Sequence, residues 1–100
     1  MITLEKNDFK KLEEYITKYY EFKQEIDKGN TNMYLNHIVE GFEETYNHSS
    51  DIPKQIIHMK WLDSNESDDV ICKVLDISKR KLNKIRENIL VSFSEYMGYA

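Results

Sequence analysis

A chain of 100 residues is the size of one compact unit with a modest core. Its 40% hydrophobic and 32% charged content, with three Gly and one Pro, excludes a disordered chain and is too poor in turn formers for a β-sandwich. No apolar run approaches the roughly 18 residues needed to span a bilayer, so no membrane role is expected. The single cysteine, Cys72, has no partner within the chain, and with no signal-peptide pattern at the start a cytoplasmic protein is expected.

The expected fold is all-α. Phe9, Leu12, Ile16, Tyr19 and Ile26 recur at helical spacing, and Tyr15, Tyr20 and Phe22 widen the stripe. This predicts one long amphipathic helix from Asp8 to about Lys28, capped by Asp8 or Asn7 and stopped by Gly29 and Asn30. Residues 30–51 are less legible: Met33, Tyr34, Ile38, Phe42 and Tyr46 suggest a short helix, although Gly41 lies inside it. Ser50 or Asp51 with Pro53 in the first turn predicts the next helix, and Asp63–Ser67 a loop leading into a helix capped by Ser67 or Asp68. Two regions follow, residues 1–50, acidic and aromatic, and residues 51–100, built around a pair of helices.

The net charge of −4 conceals a sorting of charge. Residues 1–50 hold six Lys against ten Asp and Glu, while residues 51–100 hold eight of each sign. From Lys73 to Arg86 six cations face one anion, Asp76. A local basic stripe is an electrostatic footprint for phosphate even on an acidic chain.

That stripe falls on a helix–turn–helix pattern. Val70, Ile71, Val74 and Leu75 predict the apolar face of a short helix, Asp76 and Ile77 a turn, and Ser78 the cap of a long helix whose inner face is Leu82, Ile85, Ile89 and Phe93. A DNA-reading pair needs a small residue at the crossing, a chain-reversing residue, and an apolar plug after it. Cys72, Asp76 and Ile77 stand in those places. Lys79, Arg80 and Asn83 on the first turns are the candidates for base edges, since Arg and Lys read guanine and Asn reads adenine in the major groove. Lys73, Ser78, Lys81, Lys84 and Arg86 are the candidates for phosphate contacts. The expected partner is double-stranded DNA at a promoter or operator.

Ile56–Tyr99 resembles the phage-encoded late-gene transcription activators of Gram-positive bacteria, of the RinA, ArpU and LtrC type, whose C-terminal part is similar to region four of bacterial sigma factors. The resemblance rests on Lys60, Trp61, Leu75, Ile77, Ser78, Leu82, Ile85, Phe93 and the ending Met97, Gly98, Tyr99. It implies a sigma-like helix–turn–helix and an activator of phage or mobile-element late transcription, acting with RNA polymerase in a bacterial host. The acidic run Asp63, Glu66, Asp68 and Asp69 departs from the pattern and weakens nonspecific DNA affinity, so tight binding would call for a homodimer or a contact with polymerase.

The remaining residues carry less. His37, His48, His58 and Cys72 fit no zinc spacing, so neither a metal nor a cofactor is expected. Glu13 with Glu14, and Glu43 with Glu44, are sequence neighbours that diverge on a helix and make no acid/base pair, so an enzyme is not expected. Tyr15, Tyr19, Tyr20 and Phe22 are more rings than a small core needs, so some of each role is expected: the N-terminal helix docks on the C-terminal helices, and these residues offer a surface to a partner protein or a second copy. An alternative to DNA reading follows from the acidity: a protein–protein interaction module that modulates another regulator.

Overall fold

A computed structural model describes residues 4–99. They form six α-helices and, among the described residues, no strand: α1 (Lys6–Thr17), α2 (Tyr19–Asp27), α3 (Met33–Asn47), α4 (Asp51–Ile57), α5 (Asp68–Leu75) and α6 (Lys79–Met97). α4 runs on into one π-helical turn, His58–Leu62.

The single helix expected over Asp8–Lys28 is two. Lys18 leaves helical geometry at φ −94° and ψ 9°. Next to it the Thr17 hydroxyl donates to the Glu13 carbonyl at 2.9 Å, a back-bond that competes with the helical ladder. The start also differs, since Glu5 is the cap and its backbone N–H donates to the Asp8 carboxylate at 2.9 Å. Asp8 thus closes the first turn from inside it. At the other end Gly29 takes φ +99°, and the backbone N–H groups of Gly29 and Asn30 return to the carbonyls of Ile26 and Glu25. This is the paired C-terminal closure that a left-handed residue permits.

α3 and α6 make the most extensive helix pairing in the fold. Gly41 explains how they approach so closely: a Cβ there would lie 2.6 Å from the Met97 Cβ and 2.7 Å from its backbone nitrogen. The glycine that weakened the sequence reading of α3 is therefore a packing requirement. Around this crossing the core gathers Leu12 and Ile16 of α1, Ile38 and Phe42 of α3, Ile56, Ile57 and Trp61, Ile71 of α5, and Leu82, Ile89, Leu90 and Phe93 of α6. Both halves of the chain share this one core.

The π-helical turn is a feature the periodicity of Ile56–Leu62 does not reveal. It carries Trp61 into the core, 7% exposed, where the indole N–H donates to Glu13 at 3.1 Å and ties the turn to α1. Tyr99, beyond the end of α6, is tied back to α1 as well, its hydroxyl donating to Asp8 at 2.7 Å. No described helix is long and apolar enough to cross a membrane.

Candidate nucleic-acid interface

The α5–α6 junction is built by local signals. The Ser67 hydroxyl accepts from the Val70 backbone N–H at 3.3 Å and starts α5. Asp76 ends it in the left-handed region at φ 55° and ψ 50°, the one non-glycine residue with positive φ among those described. Aspartate tolerates that geometry better than most side chains. The Ser78 hydroxyl then accepts from the Lys81 N–H at 3.1 Å and starts α6. Cys72 is half-buried, and Ile77 packs against the core from the turn.

α5 differs from its sequence reading in one respect. Ile71 is fully buried, but Val70 and Val74 are 40% and 63% exposed. The helix is only eight residues long, and Ile71 and the half-buried Leu75 already fill its contact with the core. The i, i+4 pair Val70 and Val74 therefore falls on the outer side. Ile85 of α6 packs against the core from a half-buried position, beside the buried Leu82 and Ile89.

The basic residues divide into two groups. Arg80, Lys81 and Lys84 are exposed and, among the described residues, form no ion pair. With Ser78, Asn83 and Glu87 they border one shallow depression on the first turns of α6. Lys73 is exposed on α5. The second group leans toward the acidic start of α5. Lys79 Nζ lies 2.7 Å from the Asp69 carboxylate, which raises the lysine's pKa. Arg86 Nη1 lies 3.5 Å from Asp68, and its Nη2 donates to Asn83 Oδ1 at 3.0 Å. Asp68 also accepts from Lys60 at 3.0 Å, and this bond holds its carboxyl below the usual carboxylate range, with Arg86 and Lys79 adding to it.

Of the three residues singled out for base edges, Arg80 stands outward, while Lys79 and Asn83 are exposed but engaged within the protein. Of those singled out for phosphate, Lys73, Lys81 and Lys84 are open, Ser78 spends its oxygen on the cap, and Arg86 is held at Asp68. α1 reaches only the flank of this surface, where Lys6, Phe9 and Glu13 face Asn83, Arg86 and Glu87 across a groove. The acidic run Asp63–Asp69 was visible in the sequence, but its grip on Lys60, Lys79 and Arg86 needs the three-dimensional arrangement.

The aromatic residues of the N-terminal half are mostly engaged. Tyr15 shares a hydroxyl–hydroxyl bond with Tyr34 and an edge-on ring contact at 6.0 Å, and burial raises its pKa. Tyr19 packs on Phe42 with ring centroids 4.6 Å apart, and its hydroxyl donates to Glu43 at 2.6 Å; burial first, then that carboxylate, raises its pKa. Phe22 packs against the core, and Tyr20 stays 50% exposed. Among the described residues no three His, Cys, Asp or Glu side chains converge as metal ligands. The chain matches no protein-family model, no curated protein and no solved structure.

Proposed function

We propose that this is a sequence-specific DNA-binding transcriptional regulator that lays the first turns of α6 in the major groove. The observation that carries the reading is the set Arg80, Lys81 and Lys84, exposed and unpaired among the described residues, on the first turns of a capped helix that follows a tight left-handed turn. Arg80 suits a base edge, Lys84 lies one turn further along the same face, and Lys81 and Lys73 suit flanking phosphates. Lys79 and Asn83 join the base-reading set once DNA draws them from Asp69 and Arg86. The resemblance of Ile56–Tyr99 to phage late-gene activators supports a regulator that works with bacterial RNA polymerase on promoter DNA.

The test is a mobility-shift titration with DNA fragments from the neighbouring genome, comparing wild type with Arg80→Ala and Asn83→Ala. Loss of a bidentate base contact costs about 1–3 kcal/mol, so Arg80→Ala is expected to weaken specific binding about five- to 150-fold. Unchanged affinity and specificity in both variants overturn the proposal.

One observation favours a second reading, a protein-binding module without DNA affinity: the carboxylates of Asp68 and Asp69 sit among the cations, beside the exposed Val70 and Val74. DNA binding that weakens steeply with salt speaks for the first reading, and a stoichiometric protein complex with no DNA affinity for the second.

A further inference from the structure

A cleft of about 530 Å³ opens on the opposite chemistry, between α2, α3 and the π-helical turn. It is lined by Tyr19, Tyr20, Phe42 and Tyr46 and by Glu40, Glu43 and Glu44, and no Lys or Arg lines it. The one basic group inside, His58, is occupied at both ring nitrogens, by the Tyr46 hydroxyl and by Asp63, each at 2.8 Å. The cleft therefore combines aromatic residues, whose ring faces attract cations through their quadrupole, with three glutamates, of which Glu43 pairs with Lys23 and Glu44 lies 3.5 Å from His48 Nδ1, while Glu40 has no ion pair among the described residues.

The chain's own lysines already respond to that field from the rim. Lys54 Nζ stands 5.2 Å from the centre of the Tyr46 ring, and Lys23 Nζ lies 3.5 Å from Glu43. Both modes of holding a cation are thus in use at the edge, while Tyr20 at the mouth and the exposed Glu40 keep no cation of their own among the described residues. The π-helical turn supplies His58 and Leu62 to the lining, and π-helical insertions recur at functional sites.

We infer that this cleft docks an arginine-containing basic segment of a partner protein, the guanidinium lying on Tyr20 and bonded to the Glu40 carboxylate. Arginine fits better than lysine because its planar fork both stacks on a ring and pairs with a carboxylate through two donors. The site lies on other elements than the basic turns of α6 and does not depend on DNA binding.

The experiment is an NMR titration of the full chain with a short oligoarginine peptide, beside a neutral Ser/Gly peptide of equal length and free arginine. The expected result is saturable one-to-one binding of the oligoarginine, with shifts confined to α2, α3 and the π-helical turn. Tyr20→Ala and Glu40→Gln, both exposed positions, are each expected to weaken it about five- to tenfold. Glu21→Gln and Glu25→Gln on α2, outside the cleft, remove the same charge and are expected to leave it unchanged, which separates docking from general attraction to an acidic protein. Equal loss in all the Gln variants, wild-type affinity in Tyr20→Ala and Glu40→Gln, or binding of the neutral peptide overturns the inference. Free arginine that binds as tightly as the peptide also overturns it, in favour of a small-molecule site. So does self-association of the chain through the cleft, which would make a second copy the occupant.

Discussion

Along α6 the surroundings change from solvent to core. Its first turns show Lys79, Arg80, Lys81, Asn83 and Lys84 to water around a single buried anchor, Leu82, whereas the later turns bury Ile89, Leu90, Phe93, Ser94 and Met97. The C-terminal part is held by shape, with Gly41 set against Met97 and the Phe42 ring edge-on to Phe93 at 6.1 Å. The N-terminal part, together with α5, is held by the buried Ile71 and Leu82, the half-buried Leu75, Ile77 and Ile85, and a few ion pairs around Asp68 and Asp69. A long helix rooted in the core can carry an exposed end rigidly into a partner without that end adding to the core.

If the later turns of α6 and the junction of α5 with α6 differ in this way, core truncations should separate them. Phe93→Ala removes a fully buried ring from the tight crossing and is expected to cost about 4 kcal/mol, a large share of a small domain's stability. Ile71→Ala is expected to cost about 2 kcal/mol, at the low end for a buried isoleucine, because the short α5 at the edge can relax toward the gap. Urea unfolding of both variants measures the difference, and equal costs would erase the proposed contrast. Gly41→Ala sharpens it further. Alanine gains about 1 kcal/mol of helix propensity over glycine. Its Cβ, however, would meet Met97 backbone atoms at 2.7 and 2.8 Å, which no rotamer change relieves. Overpacking of this kind costs about 1–3 kcal/mol, and contacts as short as these fall at its upper end, so a net loss of up to about 2 kcal/mol is expected where an open helix would show a gain.

The turn between α5 and α6 was legible because its signals are local: Ser67 and Ser78 cap, and Asp76 reverses the chain, each within a few residues of its partner. The break at Lys18 was not, since neither Gly nor Pro marks it and the apolar stripe runs across it with little interruption. The π-helical turn was hidden for a different reason: Trp61 reaches a partner on α1, Glu13, that lies 48 residues away. Val70 and Val74 were misplaced because aliphatic spacing shows that a face exists, and only the size of the neighbouring core decides whether it is covered. At the candidate site the cations could be read from the sequence. Their division into an open set and a set held by Asp68 and Asp69 could not, because the acidic loop and the first turns of α6 meet only in the fold. The aromatic cleft is likewise assembled from three elements, as in the Tyr19–Glu43 bond across 24 residues.

The smallest expected effects on stability sit at those carboxylates, and they bear on binding. The pKa of Asp68 is lowered in the folded chain, above all by the hydrogen bond from Lys60, so its contribution is present above the unfolded carboxylate pKa and is lost as pH falls through the lower folded value. Acid should therefore loosen the start of α5 before the α3–α6 crossing, read as earlier loss of amide protection in α5, and Asp68→Asn should remove that pH dependence. Asp69→Asn breaks a pair exposed on both sides, Lys79 being 66% and Asp69 78% exposed, so no measurable change in Tm is expected. Its effect belongs to the DNA reading, because DNA must draw Lys79 away from Asp69, and the Asp69 carboxylate repels the duplex. The variant should bind DNA more tightly, with a log–log salt dependence steeper by about one counterion. If Asp69→Asn changes neither affinity nor salt slope while Arg80→Ala still weakens binding, Lys79 lies outside the contact and the reading surface narrows to Arg80, Lys81 and Lys84.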